Sequence, residues 1–140
     1  MRTIFLSTIL LMLAGIAAAD ANALAAVNAE RSAKGRAALV YDDRLEAAAL
    51  AHARDMAARN FMSHTGSDGS TLAKRLKRAG YKYCFGAENI AVGQPNLSRA
   101  MVAWMNSSGH RKNILSRKAE AMGFARAQGN RWVMVFGAQC

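Results

Sequence analysis

Apolar residues recur at helical spacing through much of this chain, whereas its last twenty positions carry two short runs with aromatic and β-branched residues in strand-like segments. A chain patterned in this way can build only a small sheet, and its helices must cover that sheet. Residues Ala21 to Lys34 carry Leu24, Ala25 and Val27 on one face and stop before Gly35, a natural helix C-cap. Asp42 or Asp43 can cap a second helix running to about Arg59, with Leu45, Ala48, Ala49, His52 and Met56 on its apolar stripe. Thr71 to Ala79 predicts a short third helix closed by Gly80, with Leu72, Leu76 and Ala79 inward and a cationic row of Lys74, Arg75, Lys77 and Arg78. A fourth helix starts at Asn96 or Ser98 and runs through Met105, anchored by Trp104. Ala121 to Ala127 and Arg131 to Ala138 read as strands joined by a Gln128-Gly129-Asn130 hairpin turn, and a third strand includes Tyr81 to Phe85. The expected fold is α+β, a three-layer α-β-α sandwich around a small, mostly antiparallel sheet.

The N-terminus sets the compartment. Arg2, the apolar run Ile4 to Ile16 and the small residues Ala17-Ala18-Ala19 have the three-part pattern of a secretory signal peptide. We expect cleavage after Ala19, with Ala21 or Ala23 as alternative sites and an uncleaved anchor as the competing reading. Residues 1–19 are then the signal peptide and 20–140 one domain, secreted or periplasmic and not integral to the membrane after cleavage. The formal charge of the whole chain is +10, and Arg2 leaves with the signal. A basic exported protein is drawn to anionic envelope surfaces or lipid, unless the charge serves solubility alone. Nucleic acid is not expected as a partner, because the basic residues are scattered and no aromatic groove interleaves them.

The two cysteines, Cys84 and Cys140, both follow the signal, and export makes a disulfide between them the simplest state. Free thiols or an intermolecular bridge from Cys140 are the alternatives.

Chemistry concentrates in three polar islands: Asn60 to Gly66, Gly86 to Ala91 and Trp104 to Leu115. They contain His64, Glu88 and His110, the residue types that ligate metals or move protons near neutral pH, in glycine- and asparagine-rich surroundings that suggest loops. If the three converge, they make a sufficient protein set for Zn2+ or another divalent metal with an open coordination position. Each also has a structural reading as a loop anchor, with Asn113 holding its own loop by hydrogen bonding. His52, on the apolar face of the second helix, is assigned to packing and a structural hydrogen bond.

In order along the chain, Val27-Asn28-Ala29-Glu30-Arg31 with Gly35, Ala51-His52-Ala53-Arg54-Asp55-Met56, Ser63-His64-Thr65, Gly86-Ala87-Glu88-Asn89-Ile90 and Gly109-His110-Arg111-Lys112-Asn113-Ile114 resemble the CAP superfamily. This is the cysteine-rich secretory, antigen 5 and pathogenesis-related-1 group, also called SCP-like extracellular proteins. The resemblance covers about Ala23 to Gly137. It implies the α-β-α sandwich and a central cleft lined by His64, His110 and Glu88, the last beside Asn89. Many eukaryotic relatives place a second glutamate three residues after the tryptophan of the fourth helix; this chain has Ser107 there, as in many bacterial members. Two function classes follow. The first is a secreted binding or interaction module whose His/Glu cleft takes a divalent metal, a lipid or an envelope ligand. The second is a hydrolase acting outside the cytoplasm, with Glu88 and His110 as its catalytic candidates. The absence of Gly-x-Ser-x-Gly and His-Glu-x-x-His motifs favours the first. Oligomeric state is not legible.

Overall fold

The computed structural model describes residues 21–140; the signal peptide expected over residues 1–19 lies outside them. Helix α1 occupies residues 21–33 and ends at Gly35, whose φ of 63° is the left-handed conformation expected of a C-cap. Strand β1 (Val40–Tyr41) leads into α2 (Asp43–Arg59), where the Asp42 carboxylate accepts from the amides of Arg44 and Leu45. Thr71 caps α3 (Leu72–Arg78), followed by Gly80 at φ 76°. Strand β2 (Tyr83–Val92) precedes α4 (Leu97–Met105), capped by Asn96, and α5 (Ser108–Ile114). The chain closes with β3 (Ala121–Ala127) and β4 (Arg131–Gln139), whose turn carries Gly129 and Asn130 at positive φ.

The sheet order is β1-β3-β4-β2, with β1 parallel to β3 and the other two pairings antiparallel. Strand alternation sends Met122, Phe124, Trp132, Met134 and Phe136 to a core shared with α1, α4 and Ile114 of α5. Ala121, Ala125, Val133, Val135 and Ile90 face the other way, against α2 and Leu76 of α3. The three-layer α+β sandwich is therefore the observed architecture. Trp104 anchors α4 as expected, donating its indole N–H to Ile90 O at 3.0 Å.

Three elements differ from the sequence reading. The third strand begins later than Tyr81 and continues to Val92, absorbing the Gly86 to Ala91 island. The Trp104 to Leu115 island contains helix α5 instead of forming one loop. The two-residue strand β1 carried no periodicity to detect. The first two differences share a cause, since polar residues that favour loops in isolation are satisfied here by tertiary partners within regular structure.

A disulfide joins Cys84 to Cys140 across a separation of 56 residues, tying the start of β2 to the end of β4. Loop-closure entropy makes such a link worth about 2–4 kcal/mol. The layers approach most closely at Gly123, where an added Cβ would collide with the α2 backbone at Leu45 and Glu46. Because backbone cannot move aside like a flexible side chain, Gly123→Ala is expected to destabilise the fold by about 3 kcal/mol. Urea unfolding measures this, and an unchanged midpoint would contradict the close seating of α2 on β3.

Candidate functional site

Strand β2 is an edge strand, so side chains from its two faces can meet around one rim. Glu88 lies opposite Val135 and points toward α3, whereas Asn89 lies opposite Met134 and points toward α5. The Glu88 side chain is only 3% exposed. One carboxylate oxygen accepts from Arg75 Nη2 at 2.7 Å, and the other from His64 Nδ1 at 2.9 Å. Arg75 is equally buried and donates through Nη1 to His64 O and Ser70 O. It stands in the cationic row read from α3, but it points inward. With Arg78 paired to Asp68, that row offers, among the described residues, only Lys74 and Lys77 without a carboxylate partner.

On the other face, Asn89 Nδ2 donates to His110 O at 3.1 Å, and Asn113 Nδ2 donates to Asn89 Oδ1 at 2.9 Å. Asn113 also reaches Glu88 O at 3.4 Å. These amides fasten α5 to β2 and hold His110 beside the rim. From further back, Arg31 closes the C-terminal end of α5 by donating to Ile114 O and Ser116 O. Asn28 completes a two-way bond with the Leu39 backbone. The early Asn28–Arg31 segment thus positions the wall of the site without lining it.

His64, Glu88 and His110 all line one open groove of about 1050 Å³, together with Ser107 and Asn113. His64 is 59% exposed. With Nδ1–H committed to Glu88, its Nε2 lone pair is the polar atom left for a ligand. The His110 imidazole titrates below its ordinary value, first because burial disfavours the cation and second because His64 lies nearby. Both Glu88 oxygens are engaged and Arg75 balances its charge, so the carboxylate orients the His64 ring. Among the described residues, no three His, Cys, Asp or Glu side chains are grouped to hold a metal ion. Ser107 and Ser108 also line the groove, but neither hydroxyl is hydrogen-bonded to an imidazole.

His52 lies outside this groove. Its Nε2 donates to Ser63 O at 2.7 Å, which fixes the residue preceding His64, and the ring packs edge-on to Phe61. Arg75 is the site residue that sequence reading missed. The usable signal was its spacing, three residues after Leu72 and four before Ala79, which places it on the inward stripe of α3.

The profile of the CAP (Cysteine-rich secretory protein) family matches residues 24–138. Over 110 residues the chain is 36% identical to the uncharacterized protein YkwD of Bacillus subtilis, covering 78% of this chain and 43% of that protein. The uncharacterized membrane protein YlbC of the same species is 33% identical over 89 residues, covering 64% of this chain and 26% of YlbC. The chain therefore spans less than half the length of these curated relatives. Among solved structures, an extracellular protein containing an SCP domain from Bacillus anthracis superposes with a TM-score of 0.83 at 27% identity, covering 87% of this chain and 41% of that one. An outer surface protein of Borrelia burgdorferi, at 24% identity and a TM-score of 0.76 over 81% of this chain and 87% of its own, shares the fold.

Two outcomes are expected from this geometry. Arg75→Met should cost about 3–5 kcal/mol, because it leaves a buried carboxylate without its cation, and Arg75→Met with Glu88→Met should recover much of the loss. Equal destabilisation by the single and double variants in urea melts would argue against the pair. Stability should also decline as pH falls below about 6.5. The unfolded chain protonates His52 and His110 near that value, whereas burial holds both lower in the folded protein. Stability is complete above the unfolded value and is lost as pH drops toward the folded one. A urea midpoint that is flat from pH 7 to 5, about the range where imidazoles titrate, would contradict this.

Proposed function

Since the chain belongs to the CAP family, we propose that it is an exported, non-enzymatic binding module whose ligand site is the His64/Glu88/His110 groove on the free edge of β2. The observation that carries this reading is the Arg75–Glu88–His64 chain, which presents one imidazole nitrogen to the groove on a scaffold held from behind. Preorganised polar groups of this kind fix a ligand's orientation at little entropic cost. A hydrolase would need an activated nucleophile or a metal-bound water. Export is supported by the three-part N-terminal pattern and by the disulfide, which persists in oxidising compartments. No helix among the described residues is long and apolar enough to cross a membrane.

A divalent cation such as Zn2+ is the second reading, and one observation favours it. A carboxylate behind one imidazole nitrogen leaves the other nitrogen oriented toward the groove, as in many metal-ligating histidines. In this reading His64 and His110 are the protein ligands, and Glu88 orients His64 without contacting the ion.

NMR of the labelled mature protein, titrated with soluble and lipid fractions of the cell envelope, tests the module. Shifts are expected around His64, His110 and Asn113 in the wild type and should disappear in His110→Ala. Shifts confined to other surfaces would overturn the site. Ester or peptide hydrolysis that is abolished by His110→Ala would establish the hydrolase instead. For the metal reading, calorimetric titration with zinc should lose at least about tenfold in affinity on His64→Ala or His110→Ala, as removal of a ligand group requires, while His52→Ala leaves it unchanged.

A further inference from the structure

The groove that holds His64 and His110 is also lined by Arg36, Arg111, Lys112, Arg117 and Lys118. Among the described residues none of these five is in an ion pair with a carboxylate, whereas Arg44, Arg59, Arg75 and Arg78 all are. Arg36 donates to Leu115 O and Lys34 O, and Arg111 donates to Met105 O. Those carbonyls position the guanidinium groups without cancelling their charge. Among the described residues the only acid lining the groove is Glu88, which is buried and balanced by Arg75. The groove consequently carries about five uncompensated positive charges, a strong local field for an anion. The groove is open, and its charged and polar side chains are interleaved with apolar surface from residues such as Phe85, Ala87 and Leu115. Among the described residues Phe85 is the one Phe, Tyr or Trp side chain in the lining, beside the two imidazoles, which leaves little platform for stacking successive bases.

We propose that this groove is a receptor for a phosphate ester, seated among Arg36, Arg111, Lys112, Arg117 and Lys118, with the imidazoles of His64 and His110 at the edge nearest β2. The assignment rests on the module reading above and names its ligand class. Arginine suits such a group because its planar fork can donate two bonds to adjacent phosphate oxygens, while lysine contributes a point charge. The proposal moves the anion-binding surface away from α3, whose row keeps only two lysines without a carboxylate partner.

The mature, disulfide-bonded protein should be titrated calorimetrically with inorganic phosphate and glycerol 3-phosphate, and assayed by sedimentation with phosphatidylglycerol and phosphatidylcholine vesicles. Arg111→Gln with Lys112→Gln, and Arg117→Gln with Lys118→Gln, should each weaken ester binding by about tenfold or more. Lys74→Gln with Lys77→Gln should leave it unchanged. All three double variants alter exposed side chains, and matching thermal midpoints would confirm that they fold. Ester binding accompanied by selective binding to phosphatidylglycerol would support a lipid headgroup as the source of the phosphate. Ester binding without vesicle binding would support a soluble or polymer-borne ester. Absence of binding to every phosphate probe, or equal weakening by the α3 variant, would overturn the proposal. A groove that still shifts in NMR with a phosphate-free envelope fraction would overturn the phosphate assignment while preserving the module.

Discussion

The contact between Arg75 and Glu88 governs how the site is built. Removing two charges from water costs several kcal/mol per ion, so a buried pair persists only when its remaining donors and acceptors are satisfied. Here the guanidinium spends Nη1 on two backbone oxygens and Nη2 on the carboxylate, while the second carboxylate oxygen takes His64. Arg75 Nε alone stays buried without a protein partner. These bonds join α3, the segment between α2 and α3, and the edge strand β2. A conformational choice at any of the three is therefore a choice at all of them.

His64 illustrates the consequence. Its neighbour Ser63 accepts from His52 on α2, and its own carbonyl accepts from Arg75 on α3. The backbone is held from two helices while the imidazole projects into the groove. An exposed histidine on an unsupported loop would sample many rotamers, and ordering it would oppose ligand binding. In this site much of that ordering is already done in the folded state. His52 contributes through tautomer as well as packing: Nε2 must carry the proton to reach Ser63 O, so Nδ1 is left as a buried acceptor without a protein partner. Protonation of Nδ1 meets an environment that disfavours charge, in keeping with the lowered titration of this ring.

Much of the architecture was legible because local and global signals agree. The caps at Asp42, Thr71 and Asn96, the glycines at 35 and 80, and the hairpin around Gly129 mark element ends by backbone chemistry that needs no tertiary information. Strands β3 and β4 carry enough apolar residues to declare themselves. The β2 segment does not, since Gly86, Glu88 and Asn89 read as loop residues when their partners are unknown. Gly86 is small because Leu76 packs within 3.0 Å of where its Cβ would be, and Glu88 and Asn89 are polar because Arg75 and Asn113 wait for them. The same limit hid Arg75 among its neighbours on α3. Its spacing from Leu72 and Ala79 put it on the inward stripe, but without Glu88 in view its charge argued for the solvent face.

The position of Ser107 has an electrostatic meaning beyond the loss of one carboxylate. A second glutamate at that spacing would face the groove and offset part of the field from Arg111, Lys112 and their neighbours. With serine there, the remaining acid is Glu88, whose charge Arg75 already balances from inside the sandwich. The sign of the groove is then set by its rim. Attraction between a dianionic ligand and several exposed cations grows with each charge on either side and is screened beyond about 8 Å at physiological ionic strength, so only groups lining the groove itself contribute strongly. The net charge of +10 is thus a poor guide to where an anion settles, because much of it is dispersed or paired. What matters is the local imbalance that arises where β2, α5 and the Arg36 segment converge and no partner carboxylate lies among them.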